Sequence, residues 1–325
     1  MDPAILLKGV TKTFGSTQAV TDLDLSVPRG ALYGFIGPNG AGKTTSIRMI
    51  MAIIFPDGGE LSVLGHASAR DAKDRIGYLP EERGLYRKMR VGAFLAYIAR
   101  LKGVPEGEVA VRVARNLERV DLAGTERKRC DELSKGMQQK VQLVAAIIHN
   151  PDLLILDEPF SGLDPVSRRQ LRDLILEEHR RGATVLFSTH VMPQAEEICQ
   201  HVVMIHHGRK VLDEQVASIR RRYDPRTIRF DPVNPDVDPT LALARVPGVE
   251  RVDHVDGSYD VQLVAGTDPG GAIQRITAAV VPARIEIARP RLEDVFIQIV
   301  AESGGTPDAA RLRADLREQP APVMS

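Results

Sequence analysis

Gly37-Pro-Asn-Gly-Ala-Gly-Lys-Thr-Thr45 is the stretch on which the reading of this chain turns. Its spacing is G-x-x-x-x-G-K-[ST]. It follows an apolar run, Ala31 to Ile36, and precedes a helical pattern, Ser46 to Ala52. A strand, a glycine-rich turn and a helix in that order form a phosphate cradle. The glycines let backbone N–H groups approach phosphate oxygens, and the helix start adds unpaired donors and a positive dipole end. The candidate binding set is Gly37, Pro38, Asn39, Gly40, Ala41, Gly42, Lys43, Thr44 and Thr45. Lys43 is placed to reach β- and γ-phosphates, and the Thr44 hydroxyl to hold Mg²⁺.

Further along, the apolar run Leu153 to Leu156 ends in Asp157-Glu158. Buried parallel strands present their functional residues at the carboxyl edge of the sheet. There, Asp157 suits an acid that orients Mg²⁺ and Glu158 a base that polarises a water. Alone, the run is equally a strand with a solvated end; beside a phosphate cradle the pair acquires a purpose. Ser134 stands at the N-cap of a helical pattern reaching about His149, which offers either a second anion site or ordinary capping. Phe14, in the turn-like Thr13-Phe14-Gly15-Ser16, either stacks on a nucleobase or covers a sheet edge.

Around these motifs, strands are expected at Ile5 to Val10, Val20 to Val27, Leu61 to Leu64 and Arg75 to Leu79. Helical periodicity follows from Val91 to Leu101 and Val109 to Val120. Alternation then resumes: a helix over Val166 to Arg181, a strand over Thr184 to Phe187, a short helix over Pro193 to Cys199, and strands over Val202 to Ile205 and Lys210 to Leu212. Such alternation predicts a largely parallel sheet covered on both faces. The charged, proline-terminated segment Arg220 to Pro225 marks a boundary. Beyond it come a strand (Thr227 to Phe230), a helix (Thr240 to Arg245), strands (Glu250 to Val255 and Tyr259 to Val264), a helix (Gly271 to Val280), a strand (Arg284 to Ile287) and a last helix (Leu292 to Val300). The order β-α-β-β-α-β fits a ferredoxin-like sandwich.

The 325 residues suffice for two domains. Lys+Arg and Asp+Glu number 43 each, so no global charge draws the chain to nucleic acid or a membrane surface. No apolar stretch approaches the roughly 18 residues of a membrane span, and Met1 to Val10 lacks the pattern of a signal peptide; the expected location is the cytoplasm. Cys130 and Cys199 are isolated and read as reduced thiols, without a disulfide or zinc site. His206-His207-Gly208 reads as a solvated turn, and Arg220 to Arg222 as a solvated helix end or a contact for anionic lipid.

The ordered set of motifs resembles the ATP-binding cassette (ABC) ATPases over about residues 4 to 215. Gly37 to Thr45 matches the Walker A loop, Leu133-Ser134-Lys135-Gly136-Met137 the signature, and the strand ending in Asp157-Glu158 Walker B. Ser161 to Asp164 matches the D-loop, and His190 the switch histidine. The resemblance implies an α/β P-loop NTPase domain over 1–220, with an antiparallel β subdomain and a helical insertion at about 85–150. A small α+β ferredoxin-like domain over 221–300 and a tail over 301–325 without fixed structure complete the expected division. It implies ATP and Mg²⁺ as cofactors, with Phe14 stacking on adenine, His190 contacting the γ-phosphate, and Ser134, Gly136 and Asp164 closing on the ATP held by a second copy. The signature departs from L-S-G-G-Q at Lys135 and Met137. Glu81 stands where the family has glutamine; its carboxylate is assigned an Mg²⁺ or water contact although it adds negative charge near phosphates.

Pro80 to Tyr86 and Pro290 to Phe296 resemble the export-type branch with a C-terminal accessory domain, some of it linked to sodium, drug or antibiotic efflux. The implied partners are an integral-membrane permease and a second copy of the chain, without nucleic acid. The chain would then lie on the inner face of the membrane through that permease. Leu85, Tyr86 and Met89 are the expected contact with it, or else local core packing. A soluble cassette protein acting on ribosomes or DNA, and a nucleotide-dependent regulator without turnover, remain as other readings.

Overall fold

The computed structural model describes residues 2–82, 84–222, 227–234, 236–255, 257–288 and 291–304. The chain begins with β1 (Ile5–Phe14), β2 (Thr17–Val27), β3 (Leu32–Ile36), the helix α1 (Lys43–Ile50), β4 (Gly58–Val63) and β5 (Ile76–Leu79). Three helices follow, α2 (Val91–Leu101), α3 (Glu106–Arg119) and α4 (Lys135–Ile147). Then come β6 (Leu153–Asp157), α5 (Pro165–Arg180), β7 (Thr184–Thr189), α6 (Met192–Ile198), β8 (His201–His206) and β9 (Arg209–Gln215).

Strand patterning sorts these into two sheets. In β1 and β2, buried and exposed positions alternate, as in a sheet with one wet face. With β4 they pair antiparallel in the order β2-β1-β4. Every residue of β3, β6 and β7 is buried, the mark of strands covered on both faces. They lie inside a six-stranded sheet, order β5-β6-β7-β3-β8-β9, parallel except for β9 against β8. One core joins the sheets: Ile5, Leu7 and Leu23 cluster with Phe35, Ile47 and Ile155. The parallel order brings the carboxyl ends of β3, β6 and β7 side by side. Helix α3 is tied to α5 by Arg119, which reaches Glu177 at 2.9 Å and Glu178 at 2.8 Å. Glu178 is 2 % exposed, so this pairing and a second one to Arg181 at 2.9 Å spare it an uncompensated buried charge.

A second compact unit begins at Ala217. Its strands β10 (Thr227–Pro232), β11 (Val249–Val255), β12 (Ser258–Leu263) and β13 (Pro282–Ala288) form an antiparallel sheet in the order β11-β12-β10-β13. Between them lie α8 (Thr240–Ala244) and α9 (Pro269–Ala279), with α7 (Val216–Arg222) before and α10 (Leu292–Gly304) after. This is the ferredoxin-like order. Ile228, Phe230, Val261, Leu263 and Ile276 form its own core.

Among the element boundaries that differ from expectation, those of β1 and α9 have local reasons. β1 continues through Phe14 because Thr13 pairs with Gln18 and Phe14 with Thr17, leaving only Gly15-Ser16 as the turn. Helix α9 starts at Pro269 because the Asp268 carboxylate accepts from the N–H groups of Gly270 and Gly271. Helix α10 runs on to Gly304. The expectations for the side chains of Arg220 to Arg222, for Asp224-Pro225, for Pro290 and for the tail past residue 304 lie outside the described residues.

Candidate functional site

The loop from Gly37 to Gly42 is shaped by what crowds it. A Cβ on Gly37 would lie 2.2 Å from the Ile205 carbonyl oxygen, and one on Gly42, at φ +104°, 2.5 Å from that of Ala19. Only glycine fits either position. Gly42 is also the N-cap of α1, and no side chain caps the first turn of that helix. Its start therefore offers N–H donors and a positive dipole end to an anion. The Gly208 N–H donates to the Ala41 carbonyl at 2.9 Å, and a Cβ on Gly208 would meet Ala19 O at 2.7 Å. The His206-His207-Gly208 segment is a turn with His207 exposed, as expected, but its buried Gly208 also braces the loop.

Lys43 is 6 % exposed, and its Nζ donates to the Gly37 carbonyl at 2.7 Å and the Pro38 carbonyl at 3.0 Å. Burial pushes its pKa down, while the carboxylates of Glu158, Asp157 and Glu81 pull it back up.

Asp157 ends β6 directly across from Ser188 on β7. It is fully buried. The Ser188 hydroxyl donates to Oδ1, whereas Oδ2 is buried with no hydrogen-bond partner among the described residues. Burial drives the Asp157 pKa up, opposed by the hydroxyls of Ser188 and Thr44. A buried carboxylate oxygen without a partner, next to a threonine hydroxyl, is the hard-oxygen pair that suits Mg²⁺. Among the described residues no group of three His, Cys, Asp or Glu forms a cage for a metal.

Glu158 adopts φ +50°, a left-handed conformation that costs a non-glycine residue about 1–2 kcal/mol. The strained backbone is held by its N–H, which donates to the Ser188 carbonyl at 3.2 Å. Its Oε1 accepts from the His190 backbone N–H at 2.8 Å and lies 2.7 Å from His190 Nδ1. The Thr189 hydroxyl lies 3.3 Å from Glu158 Oε2 and 3.1 Å from Gln194 Oε1, one proton shared between two acceptors. Glu158 is 7 % exposed.

The structure brings the loop 37–45, Asp157, Glu158 and His190 to one edge of the parallel sheet. Glu81, two residues past β5, is exposed in the loop at that edge. Phe14 is half-exposed at the β1–β2 turn, with Lys12 Nζ 5.4 Å from its ring centroid. Ser134 and Gly136 form a separate group. The exposed Ser134 caps α4 by accepting from the Met137 N–H at 3.3 Å. A Cβ on Gly136 would meet Ser167 Oγ at 3.4 Å, Leu163 and Asp164 Oδ2 at 3.8 Å. Asp164 caps α5 through the Ser167 N–H at 2.9 Å, and its bonds with Ser167 hold its carboxyl below the usual range. These neighbours lie outside the loop 37–45.

Ser188, Thr189 and Gln139 were not singled out from sequence. The first two fix the carboxylates of Asp157 and Glu158, and Gln139 Nε2 ties α4 to the Pro159 carbonyl at 3.1 Å. The available signal was two hydroxyl residues ending the apolar run Thr184 to Phe187, which parallel pairing sets beside Asp157.

A family model described as "ABC transporter" matches residues 20–161, and one described as "ATP-binding protein DrrA1-3-like, C-terminal domain" matches residues 215–300. The chain is 38 % identical over 293 residues to the ABC transporter ATP-binding protein YhaQ of Bacillus subtilis, covering 90 % of this chain and 96 % of that one. It is 31 % identical to the daunorubicin resistance ATP-binding protein DrrA3 of Streptomyces coeruleorubidus, covering 95 % and 99 %. It is 30 % identical to the bacitracin transport ATP-binding protein BcrA of Bacillus licheniformis, covering 94 % and 99 %. Among solved structures, an ATP-binding subunit of an ABC transporter superposes with a TM-score of 0.63 at 32 % identity, covering 68 % of this chain and 93 % of that one.

Proposed function

The chain belongs to the ABC transporter ATP-binding family, and from that premise we propose that two copies of it hold ATP and Mg²⁺ between them and drive a separate membrane permease in export. ATP binding and ATPase activity belong to the family. Among the described residues no helix is long and apolar enough to cross a membrane, which supports a permease on another chain. Relatives named for daunorubicin resistance, bacitracin transport and Nod factor export support the outward direction.

The observation that carries this reading is the gathering, at one sheet edge, of an uncapped helix start, the buried Lys43 and the pair Asp157–Glu158. Lys43 exchanges the Gly37 and Pro38 carbonyls for phosphate oxygens of ATP. Thr44 and Asp157 Oδ2 would hold Mg²⁺, with Glu81 facing its water shell. When bound, the ion neutralises charge on the β- and γ-phosphates. Glu158 accepts the proton of the attacking water, and His190, beside Oε1, contacts the γ-phosphate. Phe14 stacks on the adenine, and Ser134, Gly136 and Asp164 of the second copy close the far side.

Moving such an equilibrium from about 1:99 to 99:1 takes roughly 5.5 kcal/mol. Two nucleotides that each favour closure about a hundredfold supply about 2.7 kcal/mol apiece, so ATP binding suffices to close the pair. For the permease contact, Tyr86 is exposed and meets Phe94 and the exposed Tyr97 edge-on, at 6.0 and 6.1 Å between ring centroids, with Leu85 and Met89 half-buried nearby in sequence. The second unit carries a regulatory or dimer-supporting role; unchanged transport after truncation at about residue 220 would remove it.

Glu158→Gln is the test. It keeps ATP binding while phosphate release falls at least about a hundredfold; release at the wild-type rate would take Glu158 out of the base role.

A further inference from the structure

We propose that Asp57 is a positioning residue for nucleobase binding: its carboxylate clamps the end of β1 and thereby sets the ring of Phe14. This rests on the reading of Phe14 as the adenine platform.

The β1 ladder is irregular. The pairing of β1 with β2 slips between Val10 and Lys12 and again between Lys12 and Thr13, and its pairing with β4 slips between Lys8 and Thr11. Such irregularities twist a strand and re-aim its side chains, so the pairs Thr13–Gln18 and Phe14–Thr17 at the end of β1 are out of register with the rest of its ladder. Asp57 adds a second hold on this end of the strand. It is the residue immediately before β4, far from β1 in sequence. Its N–H donates to the Thr11 carbonyl at 2.9 Å. Its Oδ1 accepts from Lys12 Nζ at 2.7 Å, and its Oδ2 from the Thr13 N–H at 2.7 Å. Three consecutive residues are thus held by one, and the next residue is Phe14.

The Lys12 bond has a second effect. It parks the ammonium 5.4 Å from the Phe14 ring centroid, within cation–π range, while half of Phe14 stays exposed. The ring is therefore oriented by a cation and still has surface open to a flat ligand. The hydrogen bonds from Lys12 and Thr13 also hold the Asp57 carboxyl below its usual pKa, so it stays ionised at neutral pH.

The test separates the base from the phosphates. Full-length wild type, Phe14→Ala, Asp57→Ala, Asp57→Asn and the Phe14/Asp57 double alanine variant are titrated with Mg-ATP and with Mg-tripolyphosphate, which has the phosphate chain but no base. Loss of stacking in Phe14→Ala weakens ATP about tenfold and leaves tripolyphosphate unchanged. Asp57→Ala weakens ATP about fivefold, leaves tripolyphosphate unchanged, and adds less than about twofold in the Phe14→Ala background, since both changes remove one interaction. Asp57→Asn, which keeps an acceptor for the Thr13 N–H, falls between wild type and alanine. Three results overturn the proposal while leaving the platform reading intact: ATP affinity unchanged in Asp57→Ala, an equal loss for both ligands, or full additivity with Phe14→Ala. If Phe14→Ala itself binds ATP as wild type does, the platform reading fails and the proposal with it.

Discussion

Two helix starts in the first unit differ in one respect. Helix α1 begins at Gly42 with no side-chain cap and buried carboxylates nearby; α4 begins at Ser134, whose hydroxyl already accepts from the Met137 N–H. The open start leaves its first N–H groups without a side-chain cap. The other is closed on itself, faces solvent, and adjoins Asp164, which is likewise engaged as a cap. An anion arriving at α4 competes with a hydrogen bond of 3.3 Å, just longer than the usual N–H···O range. On the proposed reading, affinity for nucleotide resides at α1 and dependence on a second copy at α4.

Breaking each start in turn separates these roles. Lys43→Ala at α1 abolishes binding, with ATP affinity down more than about a hundredfold by equilibrium titration, because a buried charge facing the phosphates is lost. Gly136→Glu at α4 leaves the affinity of the isolated chain within about twofold but cuts steady-state turnover roughly a hundredfold, by setting a like charge against the partner's phosphates.

A pH series probes the other end of α4. Burial pushes the His149 pKa down to about 4, helped by the charge of Lys102, while Nε2 lies 3.2 Å from the Ile76 carbonyl. The folded value lies below the unfolded one of about 6.5, so the unfolded chain binds more protons in that window. The contribution is whole above about pH 6.5 and is lost as pH falls toward 4, by about 2 kcal/mol after allowance for partial exposure. Denaturant titrations at pH 7.5 and 5 measure it, and His149→Gln flattens the difference. The smallest effect belongs to Ser188→Ala. It removes the partner of Asp157 Oδ1 and raises the Mg²⁺ concentration for half-maximal turnover about fivefold, since an outer partner orients the ligand.

What could be read beforehand follows the same division. The loop 37–45 declared itself because glycine spacing records a steric demand, here the carbonyls of Ile205 and Ala19. The parallel sheet was legible because strands buried on both faces carry continuous apolar runs, Leu153 to Leu156 in β6 and Val185 to Phe187 in β7. The ferredoxin-like unit followed from the order of its elements. What stayed hidden depends on pairing between distant segments: Ser188 opposite Asp157, Gly208 beneath Ala41, and Asp57 on the end of β1. The positive φ of Glu158 was equally hidden, since no local signal marks a glutamate for the left-handed region.

The division of roles between α1 and α4 requires that the two starts meet across copies. Sedimentation of Glu158→Gln with Mg-ATP measures this directly. The predicted result is a species of twice the chain mass that forms with ATP, disappears without it, and fails to form when Gly136→Glu is added although ATP still binds. A single-copy species at saturating ATP, or a pair that Gly136→Glu leaves intact, would contradict it.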